Sequence, residues 1–263
     1  MHQLVIFGAT GRMGQALIRA LDQSTIFRLS GAVASPGSVS LGKIPPGMVA
    51  GDVVVTQDAV RALAAATVAV DFSLPQAVGL HANACAAAGV PLVVGTTGLD
   101  VATVALLEAA ARRIAVLVAP NTSVGVNVMT KLAALATRAL GTGYDVEILE
   151  SHHRLKRDAP SGTALSLGDA VAHARGTTLS ASAVYERHGE AGPRATGSIG
   201  FSVVRAGDIV GEHTVLFAAD GERIEITHRA TDRLNFARGA LRAAEWLIGR
   251  PAGLYHMDDV LGL

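Results

Sequence analysis

Through its first half the chain alternates short β-branched runs with longer Ala/Leu-rich stretches, and that rhythm leaves few folds open. LVIF (4–7), LSGAVA (29–34), VVVT (53–56), VAVDF (68–72), PLVVG (91–95) and IAVLVA (114–119) read as buried strands. Segments 11–21, 57–66, 75–88 and 100–112 read as the helices between them. Apolar runs separated by helices argue for βαβ units and a parallel sheet covered on both faces. Near residue 122 the pattern changes. VGVNVMTKLAALATRAL (124–140) predicts one long helix, YDVEILES (144–151) a strand, and 161–174 a further helix. SIGFSVVR (198–205), IVGEHTVLF (209–217) and RIEITHRA (223–230) then alternate with little helix between them, joined by AGD (206–208) and ADGE (219–222) turns. A last helix over 235–250, with Leu241, Ala244, Trp246 and Leu247 to bury, closes the chain. The expected class is α/β, with an N-terminal Rossmann-like parallel-sheet domain and a second α+β domain on a mixed sheet. The expected boundaries are 1–122 plus 235–263 for the first domain and 123–234 for the second.

Composition excludes several functions. At 263 residues the chain can build a sizeable core, and its formal net charge of zero offers no footprint for nucleic acid or an anionic membrane. MHQLVIFGATGRMG has no basic n-region, and IAVLVAP (114–120) is far too short to span a bilayer. Cys85 is the single cysteine, so no intramolecular disulfide can form, which fits a reducing cytoplasm. The expectation is a soluble, cytoplasmic globular protein.

The first strand runs into VIFGATGRMGQAL, which sets Gly8, Gly11 and Gly14 between strand and helix. This GxxGxxG spacing is a close variant of the dinucleotide fingerprint. Gly8 permits the tight turn, Gly11 the approach of a pyrophosphate, and Gly14 helix–strand packing; the helix N-terminus faces the phosphates. The alternative is a glycine-rich turn with no ligand. An NAD site places a carboxylate near the end of the second strand. Here Ala34 and Ser35 stand there instead, and no Asp or Glu occurs until Asp52. Without that carboxylate a 2′-phosphate is not repelled. Arg12 can reach one and Ser35 can donate to it, so the residues lean towards NADPH over NADH.

ESHHRLKRDAPSGTAL (150–165) is the second concentration of chemistry. His152 and Lys156, four apart, can face one pocket from a helical turn or a curled loop, and both can carry a proton near neutral pH. Arg154, Lys156 and Arg157 make the segment cationic, as an anionic substrate requires. Ser161 is a good N-cap for a helix burying Ala164, Leu167, Val171 and Ala174, and the amides of Gly162 and Thr163 offer an anion site. A solvated basic surface loop is the competing reading. Zinc is disfavoured, because adjacent histidines point apart and no Cys or acidic partner stands at a ligand spacing. Tyr144, Tyr185 and Tyr255 precede Ile148, Gly189 and Asp259, so no Tyr-Lys dehydrogenase pair exists. Cys85, in HANACAAAG, reads as a small buried hydrophobe rather than a thioester nucleophile.

Taken with VGTTG (94–98), NTSVGVN (121–127) and AGDIVGEHTV (206–215), these motifs give a chain that resembles, end to end, the 4-hydroxy-tetrahydrodipicolinate reductases of bacterial lysine and diaminopimelate synthesis. The resemblance implies hydride transfer from NAD(P)H to a cyclic unsaturated dicarboxylate, giving tetrahydrodipicolinate with loss of water. It makes His152 the acid/base and Lys156 the proton donor, with His153, Ser161, Gly162, Thr163 and Thr97 on the substrate. It makes Gly8, Ala9, Thr10, Gly11, Arg12, Met13, Ala34, Ser35, Gly95, Thr96, Thr97, Ala119, Pro120, Asn121 and Thr122 the cofactor contacts. Phe72 packs either on the nicotinamide or ribose, or into the core. The first domain then binds the dinucleotide; the second binds substrate and builds a homotetramer through its sheet. Two departures from the family pattern bear on the cofactor: Ala34-Ser35 replaces Glu-Arg, and Asn121-Thr122 replaces Asn-Phe. The competing functions are a reductase of another imine or semialdehyde, or a dinucleotide sensor without turnover. A sensor needs no proton donor, which speaks against it.

Overall fold

The computed structural model describes residues 1–48 and 52–263. Along the chain the elements begin β1 (His2–Phe7), α1 (Arg12–Leu21), β2 (Phe27–Val33), β3 (Val55–Thr56), α2 (Ala59–Leu63), β4 (Val68–Asp71), α3 (Pro75–Ala88), β5 (Leu92–Val94), α4 (Val101–Ala111) and β6 (Ala115–Val118). The pattern then shifts to α5 (Val124–Leu140), a 3₁₀ turn (Gly141–Gly143), β7 (Asp145–His152), α6 (Gly162–Ala174), α7 (Leu179–Ser182), β8 (Ala183–Val184), β9 (Ile199–Arg205), β10 (Gly211–Ala219) and β11 (Glu222–Ala230). The chain ends in α8 (Leu234–Leu247), β12 (Gly253–Tyr255) and α9 (Met257–Leu261). It divides into two compact units, Met1–Val124 with Arg233–Leu263, and Gly125–Asp232.

The first unit is built on a parallel sheet of order β12-β6-β5-β4-β1-β2-β3. Strand side chains alternate between faces. On β1, Leu4 and Ile6 enter one core with α1 and α8, whereas Val5 and Phe7 enter the other with α3 and α4. Both faces are therefore covered, as the continuous apolar strand runs require. Helix ends follow local chemistry. Pro75 opens α3 and Gly89, at φ 69°, ends it; Asp100 caps α4 through Thr103 N–H at 2.7 Å.

The second unit carries a mixed sheet of order β11-β10-β7-β9-β8, antiparallel from β11 to β7 and parallel from β7 to β8. Val146 and Ile148 of β7, Phe201 of β9, and Val215 and Phe217 of β10 pack beneath α5 and α6, on Met129, Ala133, Leu167 and Val171.

The α/β reading and the mixed second sheet hold, with local corrections. The expected strand at 53–56 pairs only at Val55–Thr56, where Val55 N–H donates to the Lys43 carbonyl and leaves Val54 exposed. The helix expected over 57–66 spans only Ala59–Leu63, capped by Asp58 and ended by a turn at Ala64. Four short elements, α7, β8, β12 and α9, stand where the sequence predicts none. Each is too short to show a period.

Candidate active site

The strands of the first sheet end together, and the order reverses between β1 and β4, where such sheets bind ligands. Gly8 leaves β1 at φ 77°, and a Cβ on it would stand 2.5 Å from the Phe72 carbonyl oxygen, so only glycine fits. Gly11 N–H donates to the Gly8 carbonyl at 3.0 Å and Gly11 caps α1 without a side-chain bond. A Cβ on Gly14 would overlap the same Gly8 carbonyl, which is why α1 can pack so near the strand. Ala9 is buried, Thr10 and Met13 are half-buried, and Arg12 is exposed on the first turn. At the end of β2, Ala34 is buried with its N–H on the Thr56 carbonyl, and Ser35 is exposed. Gly8, Gly11 and Gly14 carry no Cβ in this turn, so the cradle fits a pyrophosphate at a helix N-terminus.

Beside it, Phe72 follows β4 half-buried, its ring against Gly95. Thr96 is buried, whereas Thr97 is exposed. Ala119 and Thr122 are buried, Pro120 is exposed, and Asn121 accepts the Ser123 N–H at 2.9 Å. A residue to which the sequence assigned no role holds this edge together. The fully buried Asp71 accepts from Ser73 N–H at 2.7 Å, Thr96 Oγ1 at 3.1 Å and His81 Nδ1 at 2.7 Å, and the His81 ring stacks on Phe7. Arg233, just before α8, was also missed. Burial, and secondarily the positive charge of Arg12, hold its pKa below the ordinary arginine value.

In the second unit, alternation along β7 carries the core into the chemistry. Val146, Ile148, Glu150 and His152 share the inward face, first apolar and then ionisable. Register brings Glu150 opposite His213 of β10 and His152 opposite Arg205 of β9. Glu150 is saturated: it binds His152 Nδ1 at 2.5 Å, Arg205 through both oxygens at 2.8 Å, and Ser161 N–H at 2.9 Å. Ser161 caps α6 through Ala164 N–H at 3.2 Å and lies 3.0 Å from His213 Nε2. After β7 the chain turns, with Lys156 N–H on the His153 carbonyl at 3.0 Å. So His152 sits at a strand end and Lys156 in the turn that follows, which is the curled-loop alternative rather than the helical one. The Lys156 ammonium pairs with Asp158 at 2.9 Å. His153 and Thr163 are half-buried and Gly162 is exposed at the first residue of α6.

Electrostatics separates these groups. Burial acts to raise the Glu150 pKa, but Arg205, His152 and the Ser161 amide outweigh it and hold the carboxyl below its usual range. Burial lowers His152; Glu150 opposes this, while Lys156 and Arg205 reinforce it. His213, 4% exposed, is pushed down to about 4 by burial and by His152, so it stays neutral near pH 7. The unfolded chain takes up that proton near pH 6.5, before the folded one does, so stability is lost as pH falls from 6.5 towards 4. The loss is at most about 3 kcal/mol. In His213→Gln, melting temperature should decline less across that window than in the wild type; parallel declines would refute the assignment.

Missed by sequence reasoning were Glu150, Arg205 and His213. Period-2 burial on β7 was the available signal for Glu150. Nothing local marks Arg205, and AGDIVGEHTV, which contains His213, gives no sign that this residue faces Glu150. Among the described residues no His/Cys/Asp/Glu group could hold a metal, and no helix is long and apolar enough to cross a membrane.

Comparison with known proteins shows the family. The family model described as dihydrodipicolinate reductase, N-terminus, matches residues 2–122, and that described as dihydrodipicolinate reductase, C-terminus, matches 125–261. The chain belongs to the dihydrodipicolinate reductase family. A 4-hydroxy-tetrahydrodipicolinate reductase from Alkalilimnicola ehrlichii is 53% identical across 99% of both chains. One from Anaeromyxobacter dehalogenans is 50% identical over 100% of this chain and 98% of its own. Among solved structures, the dipicolinate-bound dihydrodipicolinate reductase from Paenisporosarcina sp. TG-14 superposes with a TM-score of 0.78 at 24% identity, covering 97% of each chain. At that identity the superposition carries the fold.

Proposed function

We propose that the chain catalyses NAD(P)H-dependent reduction of 4-hydroxy-tetrahydrodipicolinate to tetrahydrodipicolinate, in lysine and diaminopimelate biosynthesis. One hydride and one proton enter the substrate and one water leaves. The observation that carries this reading is the His152–Glu150–Ser161 arrangement beside Lys156, in a chain related to such reductases along its whole length. A bound nicotinamide supplies the hydride. Gly8–Met13, Ala34, Ser35, Phe72, Gly95–Thr97 and Ala119–Thr122 hold the dinucleotide. Lys156 gives the proton to the substrate and His152 works as the acid/base group. His153, Ser161, Gly162, Thr163 and Thr97 bind the substrate, with carboxylates directed at the first turn of α6, where amide donors and the helix dipole favour an anion.

The preference for NADPH rests on Arg12, with Arg233 beside it, and on the absence of a carboxylate at Ala34-Ser35. The homotetramer reading is supported by the uncovered face of the second sheet, where Leu149 and Val204 are 40% and 48% exposed. The single buried cysteine suits the cytoplasm.

The test uses substrate generated in situ from pyruvate and aspartate semialdehyde by a synthase, with nucleotide oxidation followed by near-ultraviolet absorbance. Substrate-dependent oxidation, faster with NADPH than with NADH, is expected. Dipicolinate, a planar dicarboxylate, should raise the melting temperature, by the equivalent of about 2.7 kcal/mol at a hundred times its Kd. A reductase of another substrate would ignore dipicolinate, and a sensor would respond to nucleotide alone.

A further inference from the structure

We propose that Glu150 is the positioning residue of this site: its carboxylate fixes the tautomer and orientation of His152 and ties that ring to the start of α6. The inference rests on reading His152 as the acid/base group. An ionised carboxylate only accepts, so at 2.5 Å the proton between the two belongs to His152 Nδ1. The neutral ring then keeps its lone pair on Nε2. Gly211 leaves that nitrogen clear, since a Cβ there would stand 3.0 Å from it. The second Glu150 oxygen takes the Ser161 amide, so one carboxylate sets both the imidazole and the residue that caps α6. Arg205 grips both oxygens and also donates to the Asp158 carbonyl at 2.6 Å, fastening the intervening loop to the same carboxylate.

The ionisable groups facing His152 are Glu150 from β7, Lys156 from the following turn, Arg205 from β9 and His213 from β10, whose ring meets it edge-on at 5.1 Å. Next to His213 lies His228 of β11. Of these only Glu150 is anionic. It is therefore the group that keeps the imidazole protonatable against burial and two cations.

Glu150→Gln removes the charge but keeps an oxygen for the Ser161 amide. The His152 ring resonances should then titrate about one pH unit or more lower than in the wild type, with the Nδ1–H tautomer no longer dominant. The limb of the kcat profile that tracks His152 should move the same way, and kcat should fall roughly ten- to a hundredfold with a smaller change in KM. Glu150→Asp should restore the titration towards the wild type. If Glu150→Gln does not fold with Arg205 left unpaired, the neutral pair Glu150→Gln/Arg205→Gln takes its place. An unmoved His152 titration in either folded variant overturns the proposal, as does a fall in kcat that tracks melting temperature with the pH profile unchanged. His152→Gln separates the two readings. Wild-type kcat in that variant would remove His152 from catalysis, while the ring titration in Glu150→Gln would still decide whether Glu150 governs it.

Discussion

Lys156→Ala is expected to lower kcat by roughly 10²- to 10⁴-fold while leaving the fold intact, the range for loss of a positioned proton donor. That corresponds to about 3–5 kcal/mol of transition-state stabilisation. The ion pair with Asp158 cannot account for such a loss. Asp158 is 60% exposed on its side chain, and a solvated pair of this kind contributes under about 1 kcal/mol. Stability should accordingly change little, and the melting temperature is the control. A purely binding role would raise KM with kcat intact, whereas proton donation is felt in kcat and in kcat/KM together. Lys156→Arg keeps the charge but should not rescue turnover, because a guanidinium does not release its proton near neutral pH. Single-turnover rates with saturating substrate provide the measurement. Unchanged kcat in Lys156→Ala would leave the cation a carboxylate ligand and move the proton source elsewhere.

The sequence made some features legible for physical reasons. Helix α3 was readable to the residue because Pro75 and Gly89 punctuate it, and α5 because its apolar period persists over 17 residues. The Gly8–Gly14 turn was readable because each glycine answers a backbone clash that nothing larger avoids. The acid/base machinery was only half visible. His152 and Lys156 lie within one short segment, so their proximity is local. Arg205 and His213 reach Glu150 only through strand pairings that link positions distant in sequence, the Arg205–Glu150 contact spanning 55 residues. No spacing within either strand announces that register. Asp71 was hidden for the same reason, since its partners are His81 of α3 and Thr96 of the loop after β5. Short elements such as β12 and α9 depend on their packing against longer ones, and five or fewer residues show no period of their own.

Gly239→Ala is expected to destabilise the first unit by about 4 kcal/mol, lowering its melting temperature by roughly 10 °C. Helix propensity alone points the other way, since alanine gains up to about 1 kcal/mol over glycine inside a helix. Packing decides the sign. A Cβ on Gly239 would overlap the carbonyl oxygen of Thr122 and come within 2.9 Å of its carbonyl carbon, and neither is the end of a side chain that could swing away. The helix cannot simply tilt aside. Ala237, Ala240, Ala243, Ala244 and Leu247 are all fully buried along the same face, and Thr122 Oγ1 holds the Phe236 carbonyl at 2.8 Å. Either α8 lifts off the sheet and opens voids along that face, or the segment after β6 shifts. The second response displaces Asn121 and Thr122, so dinucleotide affinity should weaken along with stability. Gly143→Ala is the control, because a Cβ there meets nothing within 4 Å and the backbone is not left-handed; its melting temperature should stay within a degree or two of the wild type. If Gly239→Ala melts no lower than Gly143→Ala, α8 stands further from Thr122 than these contacts require, and the glycine is there for another reason.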